Sequence, residues 1–199
     1  HDQAVDRVLV HLREIGFLNS ISNFQFKVIF PDLPNRNSKL IENFASNSSS
    51  AFVFFERVID LRKSEIDLVS DFSKSVKSAI KNNVSEDVTF KFVTQDSALR
   101  ERKNSIEELK ELHFHSSGRS TRSDKTWELQ ELQLASGSLA IGMGHQQGKV
   151  IHGAMYMLAN SSAFYAVSAN SKEVFGTSIA HPFIYKSMLA LKSIGIEKL

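Results

Sequence analysis

The chain has 199 residues, of which 42% are hydrophobic, and 24 Lys and Arg against 22 Asp and Glu give a net charge of +2. This composition excludes a disordered chain, and the small charge excess does not favour general nucleic-acid binding. The absence of cysteine excludes disulfides, thiol catalysis and cysteine metal sites. Because neither a signal-peptide pattern nor an apolar run of membrane-spanning length occurs, we expect a cytoplasmic protein.

The first part of the chain predicts a mixture of helices and strands. Apolar residues recur at helical spacing over residues 2–15, and Gly16 follows as a stop signal. Residues 23–30 and 51–61 are rich in β-branched and aromatic residues, which predicts two strands. Ser64 then begins a predicted long helix. Its predicted apolar stripe consists of Ile66, Val69, Phe72, Val76 and Ile80.

The second part begins with a predicted strand over residues 87–94, followed by predicted helices over residues 97–113 and from about Asp124 to Ala135. The clearest β signal comes next, in three segments that are separated by short turn sequences and predict an antiparallel meander. These segments are residues 138–145, 149–159 and 163–169.

A final helix is predicted over residues 178–194. Pro182 lies near its start, where the missing N–H costs little. The expected fold class is therefore α+β.

Two helical segments resemble each other. RVLVHLREIGF at 7–17 aligns with KSMLALKSIGI at 186–196, and both end in Ile-Gly-hydrophobic. Such junctions are common, so chance and two copies of one fold are both open explanations. With two copies, the chain would begin late in one copy and end as the strand after the matching helix of the other begins. We then expect the native protein to extend beyond both ends.

Three stretches resemble FemABX-type acyltransferases. VIDLRKSEIDLVSDFSKSVKSAIKNN is similar to the segment between the family's two acetyltransferase-like halves. IEELKELHFHSSGRSTRSDKTWELQ resembles the helix, arginine loop and helix that open the second half, and GKVIHGAMYMLANSSAFYAVSANS resembles its meander. The likeness spans roughly residues 51–199 and implies GNAT-like lobes. Residues 1–63 would be the late part of a first lobe, 64–86 a connecting helix, and 87–199 a second lobe with an incomplete C-terminal end.

The resemblance implies transfer of an acyl or aminoacyl group to an amine of a cell-surface polymer or peptidoglycan precursor. The acceptor would be an anionic molecule, such as a nucleotide- or lipid-linked one. The donor would be charged tRNA or acyl-CoA, and no cofactor would be bound tightly. Residues 170–181 contain one glycine and no basic-x-x-Gly-x-Gly string, which disfavours free coenzyme A. A coenzyme-A-dependent N-acetyltransferase and a non-catalytic binding module remain alternatives.

An arginine pair is the main candidate binding site. Arg119 and Arg122 lie in a loop of small hydroxyl residues that leads into the predicted helix from Asp124. A guanidinium group binds phosphate or carboxylate bidentately, and a helix N-terminus adds N–H donors, so the pattern predicts an anion clamp. The resemblance also implies that an arginine here contacts the anionic acceptor, without deciding which one. The alternative is a solvated loop whose arginines pair with Asp124, Glu128 or Glu131.

Other candidates are less specific. Lys74 and Lys77, with Lys81, form a basic helix face that the resemblance places near the acceptor or the donor, although such faces are ordinarily solvated. His152 is a candidate general base and Tyr165 a candidate proton donor, and packing in the core is the alternative for both.

Metal and phosphate motifs are not supported. His113 and His115 form a His-x-His pair without carboxylates in ligand spacing, so no metal site is expected. GMGHQQGK lies in a predicted hairpin and opens no helix, so it is not a phosphate-binding loop. Backbone N–H groups of the meander are expected to polarise the reacting carbonyl.

Overall fold

The computed structural model describes residues 57–82 and 88–199, together with Val10, His11 and Glu14. These three residues are helical, in agreement with the helix predicted over 2–15, whereas the strand predicted over 23–30 lies outside the described residues. The chain divides into two compact units, His1–Val58 and Ile59–Leu199. All strands of the described residues belong to the second unit.

Four strands form one antiparallel sheet in the order β1-β2-β3-β4. They are β1 (Val88–Val93), β2 (Leu139–Gln146), β3 (Lys149–Ala159) and β4 (Ser162–Asn170). Gln147 and Gly148 both have positive φ angles, of 51° and 76°, which suits the tight turn between β2 and β3. The predicted meander is confirmed because its signals, strand alternation and turn residues, are local in sequence.

Five α-helices lie within the described part of the second unit. They are α1 (Glu65–Ser70), α2 (Lys74–Asn82), α3 (Leu99–Ser117), α4 (Asp124–Ala135) and α5 (Ala180–Ser193). Side-chain caps fix two of the starts. Ser64 accepts a hydrogen bond from the Asp67 backbone N–H, and Ser123 accepts one from that of Thr126.

The prediction of one long helix after Ser64 is wrong, because the helix is interrupted after Ser70 and a second helix begins at Lys74. Ser73 accepts a hydrogen bond from the Val76 N–H at 3.4 Å and so begins a second helix. Phe72, inside the break, packs edge-on against Tyr185 of α5, with ring centroids 6.3 Å apart. The predicted stripe also fails at Ile66, whose side chain is 81% exposed.

Two other boundaries differ from prediction. α3 continues to Ser117, where Gly118 ends it in the left-handed conformation with φ 70°. His113 and His115 therefore lie within its last turns. Residues 57–59 carry no strand, and Asp60 makes only an isolated bridge to Lys198, so the strand predicted over 51–61 is wrong at its C-terminal end; residues 51–56 lie outside the described residues.

Helices cover both faces of the sheet. α3 and α4 pack on one face, and α5, with α2 against it, packs on the other. The core of the first face contains Ile106, Leu109, Leu112, Trp127, Leu134, Ile141, Met143 and Met155. The core of the second face contains Leu61, Leu68, Ala154, Tyr156, Phe183, Met188 and Leu191. In the described residues no helix is long and apolar enough to cross a membrane.

Two glycines of β2 allow α5 to approach the sheet closely. A Cβ atom at Gly142 would lie 2.2 Å from the Ser187 hydroxyl oxygen, and one at Gly144 would lie 2.3 Å from the Phe183 ring. The glycines of GMGHQQGK therefore serve helix packing and a turn. This agrees with the prediction that the segment is not a phosphate-binding loop.

The last residues of the chain pair with both Ile59–Leu61 and the start of β4. The Leu61 N–H bonds to the Glu197 carbonyl at 2.8 Å, and the Ala163 N–H bonds to the Lys198 carbonyl at 2.7 Å. After Ala163, the outer edge of β4 has no strand neighbour among the described residues. Among the described residues, therefore, only the start of β4 has a neighbour on its outer edge.

Candidate functional site

The two arginines line one cavity of about 440 Å³. Its wall comes from the last turns of α3, the α3–α4 loop and the first turn of α4. The lining residues are Glu107, Lys110, Glu111, His113, Phe114, His115, Arg119, Ser120, Thr121, Arg122 and Trp127. We call this cavity the arginine pocket. Leu109 and Leu112 of α3 pack against Gly153 of β3, whose partner in β4 is Ala169, so the last turns of α3 and the pocket lie near the C-terminal end of β4.

Arg122 is the partly buried member of the pair. Its guanidinium carbon lies 5.7 Å from the centroid of the Trp127 ring, within reach of a cation–π contact. Its Nη1 atom is buried and has no hydrogen-bond partner in the described residues. Such a donor costs free energy until an acceptor reaches it. The residue is therefore held in place by stacking while its hydrogen-bonding capacity stays open.

Arg119 is exposed, and the backbone around it is fixed by the loop's hydroxyl groups. The Ser117 hydroxyl donates to the Arg119 carbonyl at 2.6 Å, and the Ser120 hydroxyl donates to the Arg122 carbonyl at 2.9 Å. The small hydroxyl residues thus shape the turn and leave both guanidinium groups free of the loop backbone.

The carboxylates proposed as alternative partners do not pair with these arginines. Asp124 pairs with Lys110 at 2.9 Å, and Glu131 approaches Lys103 at 4.0 Å. Neither guanidinium group has a carboxylate partner within the described residues. At the α4 N-terminus, the Ser123 hydroxyl already accepts from the Thr126 N–H at 3.3 Å, so this N–H is occupied by the cap, and anion binding by the rest of the first turn stays a prediction.

Lys74 and Lys77 lie on α2, which packs against α5 on the opposite face of the sheet from the arginine pocket. The Lys77 ammonium donates to the Ser70 carbonyl at 2.8 Å and so links α2 to α1. The structure therefore does not bring the lysines and arginines into one site, and a binding role for the lysines stays a prediction.

His152 is enclosed between the sheet and α5. It is 1% exposed, and its ring stacks on Phe183 with centroids 5.5 Å apart and planes 8° apart. Its Nδ1 lies 2.7 Å from the Asn170 Oδ1, which can only accept, so Nδ1 carries the proton. Burial lowers the pKa of His152, and the Asn170 bond partly opposes this. His152 is therefore packed in the core, which was the alternative to a catalytic role in the sequence analysis. A role as general base stays a prediction.

Tyr165 lies on the open edge strand and is 38% exposed. Its ring is 5.6 Å from that of Tyr156, which is fully buried. Burial raises the pKa of both phenols, so both are neutral hydrogen-bonding groups near neutral pH. His152 and Tyr165 are not brought together, since His152 pairs with Asn170 and Tyr165 pairs with Tyr156 in the sheet register.

Sequence reasoning missed Trp127 as the wall behind Arg122, although its position in the first turn of α4 was a usable signal. His113 was missed as a pocket residue. Its ring meets Trp127 edge-on at 5.9 Å, and its Nδ1 lies 3.4 Å from the Thr121 hydroxyl oxygen. In the described residues, no group of three or more His, Asp or Glu side chains could hold a metal ion.

Comparisons with known proteins support the fold. No family model and no curated protein matches the chain. The crystal structure of FemX is 14% identical, with a TM-score of 0.54 over 71% of this chain and 50% of FemX. L-PGS from Bacillus licheniformis is 12% identical, with a TM-score of 0.49 over 71% of this chain and 42% of that protein. An aminoglycoside acetyltransferase from an uncultured soil metagenomic sample is 12% identical, with a TM-score of 0.46 over 56% and 74%.

The chain therefore spans about half the length of FemX. The identities are too low to carry more than the fold, and the similarity to FemX agrees with the mixed architecture and the four-stranded antiparallel sheet. The predicted fold class is confirmed: the chain has an α+β, GNAT-like fold that is similar to the fold of FemX.

Proposed function

We propose that the protein is a cytoplasmic acyltransferase that transfers an acyl or aminoacyl group to an amine of an anionic peptidoglycan or cell-surface polymer precursor. The observation that carries the proposal is the arginine pocket, in which Arg119 and Arg122 share a cavity without a carboxylate partner in the described residues. The FemX-like fold supports the reaction class.

The arginine pocket would hold the phosphate or carboxylate of the acceptor. A guanidinium group presents a planar fork that matches these anions, and each charge-assisted hydrogen bond contributes about 1.5–3 kcal/mol. The buried Nη1 of Arg122 would gain the partner that it lacks. Binding there would fix the acceptor near the C-terminal end of β4.

The open edge of β4 would hold the reacting carbonyl. Backbone N–H groups alternate along a strand, so the Tyr165 N–H points to the same edge as that of Ala163, which bonds to Lys198. An N–H at this edge would stabilise the oxyanion when the acceptor amine attacks the acyl carbon. A C–N bond forms and the C–O or C–S bond to the carrier breaks. The neutral attacking amine loses one proton, and the departing hydroxyl or thiol of the carrier takes up one proton through solvent, so the carrier leaves as an alcohol or a thiol.

This arrangement sets the length of the acceptor. Tyr165 and Asn170 are five residues apart on β4, a separation of about 17 Å in an extended strand. The acceptor would therefore be an extended precursor whose anion and amine lie far apart in the molecule. Catalysis would come mainly from positioning these groups.

The donor would be charged tRNA, with acyl-CoA as the second candidate. The connection from β4 to α5 contains the short 3₁₀ turn Lys172–Val174 and one glycine, Gly176. Glycine lets the backbone approach a pyrophosphate closely, so a glycine-poor connection offers the pyrophosphate a less accessible set of backbone N–H groups. This observation favours a donor that does not bind through such a loop.

The test is an assay of the full chain with each donor and a nucleotide-linked peptidoglycan precursor that bears a free amine. Mass spectrometry should detect the precursor with one added acyl group for one donor. Product from neither donor, with anion binding intact, would identify a binding module instead of an enzyme.

A further inference from the structure

A titratable side chain shares the wall of the arginine pocket with Arg122. His113 meets the Trp127 indole edge-on at 5.9 Å, and the Arg122 guanidinium lies 5.7 Å from the centroid of the same indole. The His113 Nδ1 is near the Thr121 hydroxyl oxygen, at 3.4 Å. A permanent cation and an imidazole therefore face the same cavity from neighbouring positions.

These neighbours affect the charge of His113. Burial lowers its pKa, and the positive charge of Arg122 lowers it further. The ring is therefore neutral near neutral pH. An anion bound at Arg122 would offset the repulsion between the guanidinium and a protonated imidazole, and it would itself attract the imidazolium.

We propose that oxyanion binding in the arginine pocket is coupled to protonation of His113, so that the pocket binds its anion more tightly as pH falls. The proposal rests on the anion clamp described above. On binding, the imidazole takes one proton from solvent, and it returns that proton when the anion leaves. Reciprocity requires that the anion raise the affinity of His113 for the proton by the same factor.

Other charged groups face the pocket from each neighbouring element. They are Glu107, Lys110, Glu111 and His115 of α3, Arg119 and Arg122 of the loop, and Asp124 of α4, with Glu173 and Lys149 beyond His115. Imidazole is the side chain whose ordinary titration falls between about pH 5 and 8, which leaves His113 and His115. The His113 ring and the Arg122 guanidinium contact the same Trp127 indole, whereas the His115 ring contacts Phe114, so His113 is the histidine next to Arg122.

Sulfate is a suitable probe because it stays a dianion across the range in which histidine titrates. Trp127 is the only tryptophan of the chain and forms the pocket wall, so its fluorescence can report binding directly. We expect the association constant for sulfate to rise severalfold, and by at most about tenfold, from about pH 7.5 to about pH 5.5, because a one-unit shift in the pKa sets an upper limit of a factor of ten.

Substitutions of histidines assign the pH effect to a residue, and an Arg122 variant tests its cause. His113→Gln should reduce the change with pH to less than about twofold. His115→Gln should keep most of it, and His181→Gln, on α5, should behave as the wild type. In the wild type, sulfate should raise the pKa of His113 measured by NMR, and Arg122→Gln should raise it without sulfate. The NMR titration keeps the proposal testable if His113→Gln folds poorly.

The outcomes separate two failures. Sulfate binding of equal strength at both pH values, or a pH effect that disappears only in His115→Gln, would overturn the coupling and leave the clamp intact. No sulfate binding at either pH would overturn both the clamp and the coupling. Acyl transfer that persisted in that case would show that the reaction does not use the pocket.

Discussion

Replacing the two arginines one at a time should weaken anion binding unequally. Arg122→Ala removes a partly buried guanidinium whose Nη1 is desolvated, whereas Arg119 is exposed and screened by solvent. Charge-assisted hydrogen bonds contribute about 1.5–3 kcal/mol, which corresponds to about tenfold to hundredfold in affinity. We expect Arg122→Ala near the upper end and Arg119→Ala near the lower end. Lysine should restore only part of the loss at either position, because it lacks the planar fork.

The same substitutions should affect folding differently. Arg119 has no side-chain partner in the described residues, so Arg119→Ala should change the free energy of unfolding by less than about 0.5 kcal/mol. Arg122→Ala loses the contact with Trp127, which contributes about 0.5–2 kcal/mol. In a chain of this size, that loss lowers the melting temperature by only a few degrees, on the order of 2–8 °C.

Isothermal titration calorimetry with sulfate measures the affinities, and urea unfolding measures the stabilities. The reasoning would be refuted if Arg122→Ala bound sulfate as the wild type does and lost much more than about 2 kcal/mol of stability. In that case Arg122 would be a structural link between the loop and α4 and not a binding residue.

Three further predictions concern the rest of the domain. Burial lowers the folded-state pKa of His152 below its ordinary value of 6.5, so the unfolded chain binds the proton first as pH falls. The free energy of unfolding should therefore fall as pH drops below about 6.5, by about 1.4 kcal/mol for each unit by which folding lowers the pKa. Urea unfolding of His152→Phe should lose this component, and an unchanged pH profile would contradict the prediction. Gly144→Ala should cost about 1–3 kcal/mol because its new methyl group meets the Phe183 ring, and Phe183→Leu in the same chain should recover part of the loss in a double-mutant cycle. Lys77→Met should lower the free energy of unfolding by up to about 1 kcal/mol, because it removes the hydrogen bond to the Ser70 carbonyl, whereas Lys74→Met should not. Equal changes in the melting temperature of the two variants would show that this hydrogen bond does not stabilise the fold.

The sequence predicted the sheet better than the helices around it. Strand alternation and the turns at Gln147–Gly148 and Asn160–Ser161 are local signals, and the meander has the expected order. The break between α1 and α2 has one local signal, the Ser73 cap, but Phe72 inside the break also packs against Tyr185 from a distant part of the chain, and this contact is not encoded locally. The glycines of β2 likewise acquire their role only when α5 packs on them.

The candidate site was predicted in part. The loop composition and spacing identified Arg119 and Arg122, and the structure places both in one cavity. The position of His113 beside Arg122 depends on how α3 and α4 bring the His113 ring to Trp127. The spacing of residues in the sequence does not show this contact. The environment of His152 depends on Asn170 and Phe183, which come from β4 and α5. The division of residues 1–63, 64–86 and 87–199 into two lobes and a connector stays a prediction.

The measurement that tests the central claim most directly is the steady-state rate of acyl transfer to two forms of one amine acceptor, with and without its phosphate. The account predicts that the KM of the wild type for the phosphorylated acceptor is about tenfold to hundredfold lower than its KM for the acceptor without phosphate. It also predicts that the double variant Arg119→Ala/Arg122→Ala raises the KM for the phosphorylated acceptor while kcat changes little. Equal KM values for the two acceptors, or transfer to neither form from charged tRNA or acyl-CoA, would contradict the account.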